Sequence, residues 1–201
     1  MKKAFLLLLA TLLVTAFTTI PAGLPIGADM PKADVKMKDV SGDLISLKEA
    51  RTATGLLVMF SCNTCPYVIK NQGRTKAICS FAKENNLGVI ILNANEGGRN
   101  NGESLADMQA YARQQSYNWF YALDSDNELA DAFGASRTPE CFLFDQHAKL
   151  VYHGAIDDSP ADLSEVKRNH LKQAIADMVQ GTSISVKESR SVGCSIRRKG
   201  N

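Results

Sequence analysis

The sequence predicts an α/β domain: a central mixed β-sheet with helices on both faces and an N-terminal β-hairpin extension. Two continuously apolar runs, residues 56–60 and 89–92, have the length and composition of strands covered on both faces. Stretches of helical period separate and follow them. Two pairs of short strand-like segments, at 35–47 and 136–153, have the spacing of hairpins.

In chain order, residues 1–22 read as a signal peptide. Lys2 and Lys3 precede an apolar run at 4–17 and small residues, with cleavage after Ala16 or Ala22. That run is shorter than the ~20 residues of a spanning helix, and an uncleaved anchor is the alternative. Export places the protein in an oxidising compartment, the periplasm of a bacterium. Loss of residues 1–22 removes two lysines and no acid, so the formal charge falls from +2 to zero. That balance gives no basis for nucleic acid or an anionic membrane as partner.

Residues 23–34, with Gly23, Pro25, Gly27 and Pro31, read as a linker before a single domain at 35–181. Residues 35–40 alternate, 41–43 turn and 44–47 return, giving the hairpin. After the buried strand at 56–60, Val68, Ile69, Ala77, Ile78, Phe81 and Ala82 recur at helical spacing until the stop at 85–88. A second buried strand at 89–92 follows, joined to the first by a right-handed crossover. Residues 93–102 form a polar, glycine-rich loop, 103–113 an amphipathic helix, 119–123 a short strand and 127–133 a short helix. One strand is expected over 136–144, with Pro139 near its start, then a strand at 150–153 and a terminal helix at 163–179. Residues 182–201 form a tail without periodicity.

The chemistry centres on Cys62-Asn63-Thr64-Cys65, at the junction of the first buried strand and the long helix. Two thiols at this spacing can exchange disulfides, a thiolate attacking a substrate sulfur and the second thiol resolving the mixed disulfide. The helix N-terminus favours the thiolate. Cys62, first in the motif, is expected to be the exposed, acidic thiol and Cys65 its disulfide partner. Pro66 suits the first helical turn. With five cysteines, at least one stays unpaired. Cys79 and Cys141 read as small buried hydrophobes. Cys194, in the polar tail, is either an additional redox thiol or a disulfide partner of Cys79 or Cys141. Glu96, Glu140 and Asp157 are the carboxylates considered as acceptors for the Cys65 proton.

Cys62 and Cys65 at a strand–helix junction, Thr138-Pro139 before an apolar strand, and Gly154 after the hairpin strand together resemble the thioredoxin-like fold over residues 35–180. More narrowly, the segments 65–68, 138–140, 154–158 and 192–196 are similar to exported redoxin-type thioredoxin-like proteins. The resemblance implies a nucleophilic role for Cys62 and a resolving role for Cys65. It implies a cis peptide at Pro139 facing the disulfide, and a Thr138 backbone that pairs with a bound substrate strand. Asn63 and Thr64 stand where thioredoxin itself has Gly-Pro, so the direction of exchange is left open by the motif.

The expected function is an exported thiol–disulfide oxidoreductase acting on protein thiols and disulfides, as a reductant fed by a membrane electron donor, with no cofactor and no metal. A thiol peroxidase is the first alternative, although Met59 and Gly55 stand where the peroxidase pattern Pro-x-x-x-Thr-x-x-Cys has Thr and Pro. A copper-binding module, with His153 joining the two cysteines, is the other.

Overall fold

The computed structural model describes residues 23–200; the expected signal peptide, 1–22, lies outside the described residues. The elements in order are β1 (Met37–Asp39), β2 (Leu44–Ile45), α1 (Leu47–Ala50), β3 (Leu56–Ser61), α2 (Pro66–Glu84), β4 (Gly88–Asn93), α3 (Leu105–Gln115), β5 (Phe120–Leu123), α4 (Glu128–Phe133), β6 (Arg137–Thr138), β7 (Glu140–Phe144), β8 (Leu150–Gly154), α5 (His170–Val179) and β9 (Cys194–Ser195). No helix among the described residues is long and apolar enough to cross a membrane.

Seven strands form one mixed sheet in the order β2-β1-β5-β4-β3-β7-β8. β3, β4 and β5 are parallel neighbours, and the hairpins β1–β2 and β7–β8 close the two edges antiparallel. The sheet's alternation divides the core in two. Val58, Phe60, Ile90, Leu92, Phe142 and Phe144 meet α1 and α4 on one face. Leu57, Met59, Val89, Ile91, Cys141 and Leu143 meet α2, α3 and α5 on the other. On the first face Phe60, Phe133 and Phe142 pack edge to face at centroid distances of 5.4, 5.7 and 5.0 Å. Each such pair adds about 1 kcal/mol to the burial of its rings.

Three expectations change. The single strand over 136–144 is two, because Pro139 has no N–H for a ladder. The Thr138–Pro139 peptide is cis, and β6 pairs with β9 of the tail instead of joining the main sheet. The terminal helix spans only His170–Val179. Residues 167–168 are drawn away by the Asp158 carboxylate, which accepts their backbone N–H groups at 2.9 and 3.1 Å. The segment 23–34, expected as a linker, runs along the domain: Leu24, Gly27 and Met30 donate to the carbonyls of Phe133, Leu150 and Ala148.

What positions the site is the parallel centre. β3 and β4 end in register, Ser61 opposite Asn93. The loops that follow them therefore lie side by side at the carboxyl end of the sheet, where open α/β sheets form their crevices.

Candidate active site: three cysteines around Thr138

β3 is buried along its whole length and delivers Cys62 at its end. Cys65, in extended conformation, caps α2, and Pro66 takes the first helical position. The two residues between the cysteines are fixed by a carboxylate the sequence reading did not single out. Glu103, fully buried, accepts the Asn63 N–H at 2.9 Å, the Thr64 N–H at 3.0 Å and the Thr64 hydroxyl at 2.6 Å. The Asn93 amide donates to it at 2.7 Å. Tyr121 Oη donates to Asn63 Oδ1 at 2.7 Å, and Asn63 Nδ2 to the Gly102 carbonyl at 2.8 Å. The glycine-rich loop is thus the bracket of the motif. Arg99 locks it by donating to Asn93 Oδ1 and to the carbonyls of Asn93, Glu103 and Asp124.

Cys65 is disulfide-bonded, but to Cys194 rather than Cys62, with Cα atoms 6.1 Å apart. The expectation that Cys194 pairs with Cys79 or Cys141 is corrected accordingly. Those two thiols are free and buried in the apolar core, which pushes both upward. Cys62 is also a free thiol and is fully buried, not exposed as expected. It clusters with Cys65 and Val68, with Tyr67 and Cys194 packed against them. Burial pushes the Cys62 thiol up to about 11, against the lowered value expected of a helix N-terminus. The Thr138 hydroxyl, 3.5 Å from the sulfur, pulls the other way; Glu103 adds to the rise; the N–H groups of Cys65 and Thr64 oppose it.

Thr138 joins the three cysteines. Its hydroxyl meets Cys62, its carbonyl oxygen lies 3.4 Å from the Cys65 sulfur, and its backbone pairs antiparallel with Cys194. Pro139, in cis linkage to it, begins the turn into β7. The carboxylates considered as proton acceptors have other tasks. Glu140 braces the Pro139 turn by accepting the N–H groups of Ser136 and Arg137 at 2.8 and 3.0 Å and bonding His153 Nε2 at 2.8 Å. Burial pushes the Glu140 carboxyl up, but these three donors outweigh it and hold it below the ordinary range. Asp157 is paired with Arg74 at 2.6 Å, and Glu96 with Arg99 at 3.2 Å. His153, engaged by Glu140, stacks on Phe142 with centroids 4.3 Å apart.

Solved structures share the overall fold. A hypothetical protein from Sinorhizobium meliloti is 27% identical with a TM-score of 0.81, covering 90% of this chain and 98% of that one. An uncharacterized conserved protein from Geobacillus kaustophilus is 27% identical with a TM-score of 0.78, covering 88% and 94%. A putative thiol:disulfide interchange protein from Chlorobium tepidum shares the fold at 15% identity and a TM-score of 0.58, covering 79% of this chain and 97% of that one. No curated protein matches the sequence. The fold is thioredoxin-like. The family model for Redoxin matches residues 25–169, which supports thiol oxidoreductase or peroxidase chemistry, and the chain belongs to the Redoxin family.

Proposed function

We propose that this protein is an exported thiol–disulfide oxidoreductase that acts on protein substrates through Cys62 and Cys65. The observation that carries the reading is the free thiol of Cys62 in one cluster with a formed disulfide on Cys65, at the end of a buried strand. In the reducing direction the electron donor first reduces the Cys65–Cys194 bond to two thiols; the Cys62 thiolate then attacks a substrate disulfide and displaces one substrate thiolate. Cys65 then attacks the Cys62 sulfur and displaces the other, leaving a Cys62–Cys65 disulfide and a substrate reduced by two electrons. Thr138 offers backbone to the substrate strand, and Pro139 shapes the approach. A membrane electron donor restores the two thiols in the periplasm.

The test is reduction of insulin with dithiothreitol as electron source. Cys62→Ser is expected to abolish it, and Cys65→Ser to accumulate mixed disulfides visible on a non-reducing gel. Undiminished activity in the Cys62 variant would end the reading.

A peroxide-reducing alternative draws on one observation. The Thr138 hydroxyl, 3.5 Å from the Cys62 sulfur, supplies the polar contact that Met59 cannot. Turnover of hydrogen peroxide that falls in Thr138→Val while insulin reduction persists would favour it.

A further inference from the structure

We propose that Cys194 is a third redox residue and that the tail strand bearing it occupies the place of the substrate strand, so that the disulfide passes between Cys65–Cys194 and Cys62–Cys65 by internal exchange. The inference rests on the disulfide-exchange reading above and adds to it a resting form and a route out of it.

The first observation is the geometry of β6. It is two residues long and stands outside the main sheet, and its strand partner is β9. A free strand edge accepts any extended chain through main-chain hydrogen bonds, whatever its side chains, and peptide recognition by strand addition uses this. Because Thr138 touches both Cys62 and Cys65, a chain laid on β6 brings its own side chain to the sulfurs. The tail is such a chain, with a cysteine at the position opposite Thr138. A protein substrate presenting a cysteine in an extended segment would need the same edge.

The second observation is that the tail's seat is built for it. A Cβ on Gly193 would stand 2.1 Å from the Thr138 carbonyl oxygen, so only glycine allows the following residue to reach Cys65. Ile196 is buried in the core beside α4, and its N–H donates to the Ser136 carbonyl at 3.0 Å. Arg197 exchanges backbone contacts with the loop that brackets the motif, donating to Asn95 Oδ1 at 2.9 Å and accepting from the Gly97 N–H at 2.9 Å. Arg198 donates to Asp131 at 2.9 Å and to the Ala135 carbonyl at 3.0 Å. Just before this seat, residues 189–193 line a cleft of about 420 Å³ together with Ser136, Arg137, Glu140 and His153. The tail has room to withdraw there.

The third observation is exposure. Cys62 and Cys65 are sealed, whereas Cys194 is only partly buried. The bond is therefore reachable from its Cys194 end, while the nucleophile stays covered.

The exchange balances internally. Cys62 loses the proton that Cys194 will take up, and its thiolate attacks the Cys65 sulfur. The Cys62–Cys65 bond forms, the Cys65–Cys194 bond breaks, and the electron pair leaves on Cys194, which takes up a proton. Nothing is oxidised or reduced overall. The tail, no longer tethered, yields Thr138 to a substrate strand. In the reverse step Cys194 attacks Cys65, frees Cys62 as a thiol and closes the site.

The test combines disulfide mapping by mass spectrometry with the rate at which iodoacetamide alkylates Cys62 in the purified protein. The wild type, oxidised with oxidised glutathione, is expected to show Cys65–Cys194 with Cys62 free and slow to react. Cys194→Ser should form Cys62–Cys65 under the same treatment. Gly193→Ala touches no sulfur but unseats the strand. It should alkylate at Cys62 about tenfold faster after mild reduction, because a fall from about 11 toward the ordinary 9.0 raises the thiolate ~100-fold while the weaker base is the poorer nucleophile. It should also lower the KM for insulin. A wild type that maps as Cys62–Cys65 with Cys194 free, or a Gly193→Ala protein with wild-type alkylation and KM, would overturn the proposal and leave the oxidoreductase reading standing. Disulfides that shift as described while no variant reduces insulin would uphold the internal exchange and end the oxidoreductase reading.

Discussion

Cys62 and Cys141 are equally hidden from solvent, yet they sit in opposite kinds of interior. Cys141 lies mid-strand in β7 opposite Met59, surrounded by apolar side chains, and burial alone drives most of its rise. Cys62 lies at the end of β3, where a hydroxyl and two backbone N–H groups face its sulfur. Burial makes both thiols poor acids, but only Cys62 has donors in place to receive a negative charge. The difference teaches that burial does not by itself retire a cysteine from chemistry. What matters is whether the strand has reached its polar end.

Removing the bracket of that polar end should have the largest effect. In Glu103→Gln, whichever carboxylate oxygen becomes an amide leaves two donors of the motif loop or of Asn93 without an acceptor. A loss of about 4 kcal/mol in urea unfolding is expected from two such groups. A loss within 1 kcal/mol of zero, by contrast, would mean that the loop holds itself.

The pH dependence sharpens the comparison next. The folded Cys62 thiol titrates near 11, above the ordinary 9.0 of the unfolded chain. The folded state therefore holds the proton more tightly. Its contribution to stability is complete below pH 9 and lost as pH rises toward 11. Subtracting the unfolding curve of Cys62→Ala from that of the wild type should expose this decline, about 2 kcal/mol in size.

Smallest is the core side of the comparison. Cys141→Ser puts a hydroxyl into an apolar site and should cost about 1–2 kcal/mol of stability while insulin reduction per folded molecule stays at the wild-type rate. A collapse of activity in that variant would place Cys141 in the redox path after all.

Much of this was legible in the chain. Alternating strand and helix patterns gave the sheet, since apolar runs such as 56–60 and 89–92 have no other stable home. The pair Cys62 and Cys65 and the Thr138-Pro139 turn, far apart in sequence, do meet at one end of the sheet. The partner of Cys65 was not legible, because a strand of two residues has no period and its pairing depends on the absence of one methyl group at Gly193. Glu103 was hidden for a related reason. It reads as the first residue of an amphipathic helix, and only the return of the loop against residues 63–64 makes it a buried acceptor. The shortened α5 depends on Asp158, whose hold on residues 167–168 follows no local pattern.

The Cys65–Cys194 bridge joins positions 129 residues apart. Closed, it turns most of the domain into a covalent ring, and a ring of this size stabilises a fold by about 5 kcal/mol through the chain entropy it withholds from the denatured ensemble. Whatever reduces that bond therefore loosens the whole molecule together with its mouth. Heat resistance and reactivity are set against each other by a single pair of electrons.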